Sequence, residues 1–238
     1  MWRCVLRNGK IDVYSNDNLK GAYTLLEEPF CKYCSSPNTT TENCSLHTQC
    51  HSFARAFAMG AYFPSRGNPG SKGWNDLLSK HIRGLKMYPN YAVPLGLGLT
   101  LCIKHVFASL PKVDLIVPVP KHATEYKVSH DAQKRPYNQA IELAKVISSK
   151  TRIPIAEALI KIRAQKMKGL SEDDRCAVVK GIYQINGNAK ISEKKILILD
   201  DVLTSGATVS ECSSVLLQNG VQNVNVLVAG RDTFDDGA

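Results

Sequence analysis

The chain has 238 residues, 44% of them hydrophobic, and a formal net charge of +9 at pH 7. That length and apolar content suffice for a sizeable core in one moderate domain, or in a core domain with a smaller appendage. The positive balance suits an anionic partner, either nucleic acid or a substrate bearing several phosphates. It does not choose between them, because the basic residues are spread along the chain rather than massed in a tail.

At the N-terminus, Arg3, Arg7, Lys10 and Asp12 stand where an export signal needs an apolar run, so no targeting segment is expected. The first 60 or so residues are short on periodic apolar pattern and hold half of the eight cysteines, Cys31, Cys34, Cys44 and Cys50. Cys4, Cys102, Cys176 and Cys212 stand alone, and Cys176 and Cys212 read as buried or incidental thiols. The expected setting is a reducing cytoplasm, which argues against disulfides and makes the cluster a metal candidate. Cys31-x2-Cys34 is a knuckle half-site for tetrahedral structural zinc. The second half is unusual: five residues separate Cys44 from Cys50, and His47 and His51 are interleaved. The all-thiolate set is favoured, with His47 as the substitute for Cys50. Four protein ligands leave no open position, so the expected role is structural, although such a module can also present a basic surface to DNA or RNA.

Pro64–Gly73 is a turn-rich surface loop. From Trp74 to Leu110 the pattern is helical, with Leu77, Leu78, Ile82 and Leu85 on one face and Lys80, Arg83 and Lys86 on a solvated one. The most apolar stretch, Tyr91–Leu110, is broken by Pro94 and carries Lys104 and His105, so it predicts a buried helix rather than a membrane span.

From Val113 onward strands and helices alternate. VDLIVPV is an apolar run suited to a buried parallel strand, and Pro136 suits the first turn of a helix running to about Ser149. Tyr137, Ala140, Ile141, Ala144 and Ile147 form the buried stripe of that helix. KILILD at Lys195–Asp200 is a second strand, Thr208–Asn219 a second helix closed by Gly220, and NVNVLVAG a third strand. The expected fold class is therefore α/β, a mainly parallel sheet flanked by helices, with a small N-terminal cysteine-rich zinc-binding region. The expected division is 1–60 cysteine-rich region, 61–111 loop and helical connector, and 112–238 α/β domain.

The most informative stretch is ILILDDVLTSGAT at Ile196–Thr208. An apolar strand ends in two carboxylates, then a loop of small residues opens a helix. Ligands of open α/β sheets bind outside the carboxyl ends of the strands, and amides at a helix N-terminus cradle phosphate. Gly206 and Ala207 let the backbone approach a phosphate, and Thr204, Ser205 and Thr208 add hydroxyl donors. Asp200 and Asp201 would repel that phosphate; they make sense one step along the ligand, accepting bonds from the two hydroxyls of a ribose.

This pattern resembles the 5-phosphoribosyl 1-pyrophosphate (PRPP) motif of the type I phosphoribosyltransferases. RPYNQA at Arg135–Ala140, VPVPKH at Val117–His122, IRGLKM at Ile82–Met87 and the cysteine cluster are similar, in the same order, to the ComF family of phosphoribosyltransferase-like proteins. The resemblance implies that Lys121 and His122 contact pyrophosphate, that Arg135 and Asn138 reach the same cleft, and that a basic loop closes over the ligand. Arg163, Leu170, Ser171, Arg175, Gly181 and Tyr183 fit the family's pattern for that loop. Met167 stands near an expected Gln, with Gln165 two places off, and Val178 stands at an expected Asn. The implied activity is Mg2+-dependent transfer of a phosphoribosyl group from PRPP to an unidentified nitrogen acceptor, with Asp200, Asp201, Arg163 and Arg175 as its catalytic residues. The alternatives are a non-catalytic PRPP or nucleotide sensor, or a zinc-bearing nucleic-acid adaptor linked to DNA uptake, as the family name implies.

Overall fold

The computed structural model describes residues 1–28, 30–31, 34–36, 39–44, 52–64, 71–125, 137–165, 172–187 and 189–233. It begins with an antiparallel meander of β1 (Trp2–Arg7), β2 (Lys10–Ser15) and β3 (Asn18–Thr24). Both hairpins turn on two residues of positive φ, Asn8 and Gly9 (45° and 71°) and Asn16 and Asp17 (50° and 63°). That turn matches the right-handed twist of the flanking strands and favours Asn, Asp and Gly. Only Ile11, Val13 and Tyr23 of the meander are fully buried, so a stretch expected to lack apolar period carries a period of two too short to stand out.

After the cysteine-rich segment come β4 (Arg55–Tyr62), the short α1 (Lys72–Asn75), α2 (Leu77–Leu85) and α3 (Ala92–His105). The boundary expected at residue 60 falls inside β4. Asp76 caps α2, accepting from the Ser79 amide at 2.7 Å, and the helix buries Leu78, Ile82 and Leu85, the face its sequence predicts. α3 buries Leu95, Leu99 and Cys102, and its exposed Lys104 and His105 lie in the last turn, where the helix dipole favours cations. Among the described residues no helix is long and apolar enough to cross a membrane.

The remaining elements are β5 (Leu115–Pro118), α4 (Gln139–Thr151), β6 (Leu159–Lys161), α5 (Glu172–Val179), β7 (Tyr183–Ile185), β8 (Lys195–Leu203), α6 (Ala207–Gln218) and β9 (Asn223–Asp232). β6 and β7 form an antiparallel pair. Strands β4, β9, β8 and β5, in that order, make the central sheet, and every pairing in it is parallel. The expected α/β architecture is thus present. Its βαβ unit is β8–α6–β9, and β4 extends the sheet from the N-terminal side.

Side-chain alternation sorts the core into two layers. On one face Phe57, Met59, Ile116, Leu197, Leu199 and Leu227 pack against α2, α3, α4 and the meander. On the other, Ala56, Val117, Ile196, Ile198 and Val226 pack against α6 and the last turn of α5.

Helix α4 begins at Gln139; Pro136 lies outside the described residues. Ala140, Leu143, Ala144 and Ile147 are buried, Ile141 is half-buried, and half-buried Tyr137 donates its hydroxyl to the Leu85 carbonyl. Asn138 is buried and caps the helix, its Oδ1 accepting from the Ala140 amide at 2.9 Å while its Nδ2 donates to the Val119 carbonyl at 2.8 Å. Asn138→Ala removes the cap and strands that carbonyl, so it is expected to cost about 2 kcal/mol of unfolding free energy in urea titration.

Candidate functional site

Strand β8 does not stop at the acid pair. Its parallel register with β9 continues past Asp200, opposite Val228, to Val202 opposite Gly230 and Leu203 opposite Arg231. Asp200 lies within electrostatic reach of Cys212 on α6, and Asp201 within reach of Lys86 at the end of α2. Each is steadied by the next amide: Asp201 N–H donates to Asp200 Oδ1 and Val202 N–H to Asp201 Oδ1, both at 2.9 Å.

Thr204, Ser205 and Gly206 turn the chain from β8 into α6. Gly206 is the N-cap residue with φ 84°, a left-handed conformation that favours glycine. Buried Ser205 accepts from the Ala207 amide at 3.4 Å, and no side chain caps α6. The first-turn amides of Thr208 and Val209 therefore have no capping side chain, and such a helix N-terminus suits an anion. Above the turn lies a cleft of about 450 Å3, walled by residues 200–209 together with Tyr62, Lys86, Arg175 and Asp232. Asp200, Asp201, Thr204, Ser205, Gly206, Ala207, Thr208 and Arg175 thus share one cleft.

Lys86, expected on a solvated helix face, is exposed, and its Nζ also lies 4.0 Å from Asp201 Oδ2, because α2 packs against the sheet and aims its C-cap residue over the carboxyl edge. The Asp201 charge holds the Lys86 ammonium above its ordinary range. Lys121 lies within electrostatic reach of both acids; burial lowers its pKa, against the opposing pull of Asp201 and Asp200. Burial, and then the Asp201 charge, push Asp200 up to about 8. The folded state therefore holds a proton that the unfolded state releases near pH 4, and stability falls as pH rises from about 4 to about 8. Asp200→Asn is expected to raise the melting temperature, with a gain that is small at pH 4, grows through neutral pH and levels off above pH 8.

The other expected site residues are placed differently. Lys121 and Asn138 line a neighbouring cleft of about 230 Å3 between the end of β5, the start of α4 and β6. Both polar ends of Asn138 are engaged by the protein itself, as described above. The His122 amide donates to Glu125 Oε2 at 3.1 Å, and its ring Nδ1 pairs with the Thr124 hydroxyl at 2.8 Å. Glu125 also accepts from Lys161 at 2.5 Å and from the Gln165 amide at 3.3 Å, so the segment after β5 is tied to the segment after β6. Arg163 is exposed and absent from the wall of the larger cleft, since β6 ends at Lys161, which turns to Glu125. Arg135, Met167, Leu170 and Ser171 lie outside the described residues, as does the side chain of Cys176, whereas Cys212 is fully buried. Sequence reasoning missed Tyr62, Lys86 and Asp232 as cleft residues; only Lys86 carried a signal, as part of IRGLKM.

Cys31, Cys34 and Cys44 are buried, with all three sulfurs within 4.8 Å of one another and Cys34 Sγ 3.6 Å from Cys44 Sγ. A tight turn brings Cys31 and Cys34 together: the Ser35 amide donates to the Cys31 carbonyl at 2.8 Å, and the Cys31 amide to the Ser36 carbonyl at 2.9 Å. Ser35 Oγ donates to the Ala56 carbonyl at 2.9 Å, which fastens the turn to β4. Burial pushes the Cys34 thiol up to about 12, with Arg231 as the main opposing charge. Three converging soft donors could hold a metal ion such as zinc. Cys50, the expected fourth ligand, and His47, its substitute, lie outside the described residues.

No family model matches the chain. Competence protein F of Haemophilus influenzae is 24% identical over 236 residues, which cover 94% of this chain and 95% of that protein. The chain resembles the ComF proteins. That ComF likeness runs from the thiol cluster through the acid pair, as the order of the segments led us to expect. Among solved structures, Leishmania donovani UMP synthase is 20% identical, with 62% of this chain and 24% of that one covered and a TM-score of 0.36. The glutamine PRPP amidotransferase of B. subtilis is 15% identical, with 92% and 36% covered and a TM-score of 0.36. Adenine phosphoribosyltransferase of Leishmania tarentolae is 14% identical, with 62% and 60% covered and a TM-score of 0.35. The chain thus spans between about a quarter and three-fifths of these solved chains.

Proposed function

We propose that the chain binds PRPP with Mg2+ and transfers its phosphoribosyl group to a nitrogen acceptor. The observation that carries this reading is the joining, in one cleft, of the Thr204–Thr208 turn at the N-terminus of α6 and the acid pair that precedes it on β8. The turn's amides and hydroxyls take the 5′-phosphate, and Asp200 and Asp201 accept bonds from the ribose hydroxyls. Two carboxylates in a wide cleft suit Mg2+, which keeps several waters and binds substrate phosphates rather than a full protein cage; when bound it neutralises charge on the diphosphate. Lys86 and Arg175 on the cleft wall, with Lys121 beside it, supply positive charge toward the leaving group, which the backbone at Lys121 and His122 meets by resemblance. Arg135 and Arg163 complete that basic set by resemblance. The bond from ribose carbon 1 to the diphosphate oxygen breaks and the electron pair leaves with pyrophosphate. The acceptor nitrogen forms the new bond to carbon 1 and loses its proton to solvent. The thiol cluster holds a structural zinc ion, which suits a reducing cytoplasm.

A non-catalytic PRPP sensor is the second reading, favoured by the placement of Arg163 away from the cleft wall. Calorimetric titration of PRPP with Mg2+ into the chain and into Asp200→Asn/Asp201→Asn tests the ligand. Pyrophosphate release across a panel of nitrogen acceptors then separates transferase from sensor: a chain that binds PRPP and releases none with any acceptor is the sensor.

A further inference from the structure

Arg55 opens β4 at the amino end of the central sheet, the end opposite the cleft. Its guanidinium lies over the Phe57 ring, with Cζ 4.9 Å from the centroid, and Nη1 donates to Ser109 Oγ at 2.6 Å. Nε is buried and has no hydrogen-bond partner. Among the described residues no carboxylate forms an ion pair with Arg55. A buried donor on a charged group is costly to leave unmade, and folded chains rarely keep one without a use for it.

The side chain borders a cavity of about 110 Å3. Phe57 and Met59 of β4, 3% and 1% exposed, give it an apolar wall, and the Phe107 ring stands 5.3 Å from that of Phe57. Leu26 and Ser35 close another side, and both are already bonded to β4. The Leu26 amide donates to the Met59 carbonyl at 3.0 Å and Ser35 Oγ to the Ala56 carbonyl at 2.9 Å. Among the described residues that line the cavity, Arg55 alone carries a charge.

We infer that this cavity is a binding site for a small carboxylate with a compact apolar body, held by Arg55. With Nη1 committed to Ser109, Nε and Nη2 form the edge of the guanidinium fork that takes a carboxylate by two parallel bonds. A phosphate suits the place less, because its remaining oxygens would lie unpaired against Phe57 and Met59. Size narrows the ligand further. The cavity is smaller than the ~150 Å3 apolar cavity that takes up benzene, so the apolar body holds about three to five carbons. A ligand seated there touches the segment after β3, the thiol turn and the segment after α3. The site is separate from the cleft and does not depend on the PRPP reading.

The test is titration of isobutyrate into the full chain, followed by NMR at the Arg55 Nε–H and the Met59 methyl. Both signals are expected to shift and saturate, with a Kd on the order of 1 mM. Isobutyramide has the same shape without the charge, and should bind at least about tenfold more weakly. Arg55→Gln should weaken isobutyrate by a similar factor, and Arg55→Lys, which keeps the charge but not the fork, by less. If a variant fails to fold, the comparison of acid with amide in wild type still decides the matter. No saturable shift up to roughly 50 mM overturns the site, and so does equal affinity for the two compounds. Shifts at the Gly206 and Thr208 amides that leave the Arg55 Nε–H unmoved put the carboxylate in the phosphate turn instead, which overturns it too. A long-lived water beside Nε–H that isobutyrate does not displace has the same force, since the cavity is then a water site.

Discussion

Asp200→Asn combined with Asp201→Asn is expected to abolish measurable binding of PRPP with Mg2+ while making the free chain more stable. Hydrogen bonds to charged groups are each worth roughly 1.5–3 kcal/mol, so losing two costs about 3–6 kcal/mol, or a hundredfold and more in affinity. Stability moves the other way. The two acids are adjacent, burial and mutual repulsion push Asp200 up to about 8, and Lys86 offsets them from 4.0 Å away. Replacing both acids ends the cost of keeping Asp200 buried beside the Asp201 charge in the unliganded cleft, a cost that grows as pH rises toward 8. A variant that merely unfolded would lose affinity and melting temperature together. Calorimetry alongside thermal melting separates the two cases, and undiminished PRPP affinity in the double variant would end the ribose reading of the acid pair.

Gly206→Val should carry the next largest effect. With φ at 84°, Gly206 adopts a backbone conformation in which a β-branched residue is a steric outlier, at a cost of about 1–3 kcal/mol. The new side chain would also stand where a phosphate must approach the first amides of α6. A loss of that size in urea unfolding is expected, with PRPP affinity falling further than Gly206→Ala lowers it. If the valine variant matches wild type in both measurements, the turn does not depend on its left-handed residue, and the phosphate assignment loses its geometric basis.

The parts of this site that could be read in the sequence are those in which strand, turn and helix lie next to one another. KILILD, the small residues after it and the helix expected from Thr208 to Gly220 are local signals, and the structure places β8, the turn and α6 there. Even there, the strand runs three residues past Asp200, because pairing with β9 decides where β8 ends. The opposite wall was not legible. Tyr62, Lys86 and Asp232 reach the cleft from β4, α2 and β9, and only the strand order brings them together. Arg231 follows the NVNVLVAG run and gives no sign of its burial, where carbonyls remote in sequence accept from it. The meander escaped notice for another reason: its hairpin turns use Asn-Gly and Asn-Asp pairs, but three deeply buried side chains are too few to make a periodic run.

The order β4-β9-β8-β5 also sets a schedule for the growing polypeptide. Arg55 of β4 takes its place opposite Asn225 of β9, about 170 residues later. At a ribosomal pace of roughly 5–20 residues per second, β4 waits on the order of 10–30 s for the neighbour that covers its edge. During that interval its run of Ala, Phe and Met is an unpaired, sticky template, and β8 and β5 have no outer partner beyond each other. A ribosome that stalls before β9 leaves a chain with no central strand to join its two halves. Such products are natural clients for chaperones and proteases, and the cleft is among the last parts of the molecule to exist.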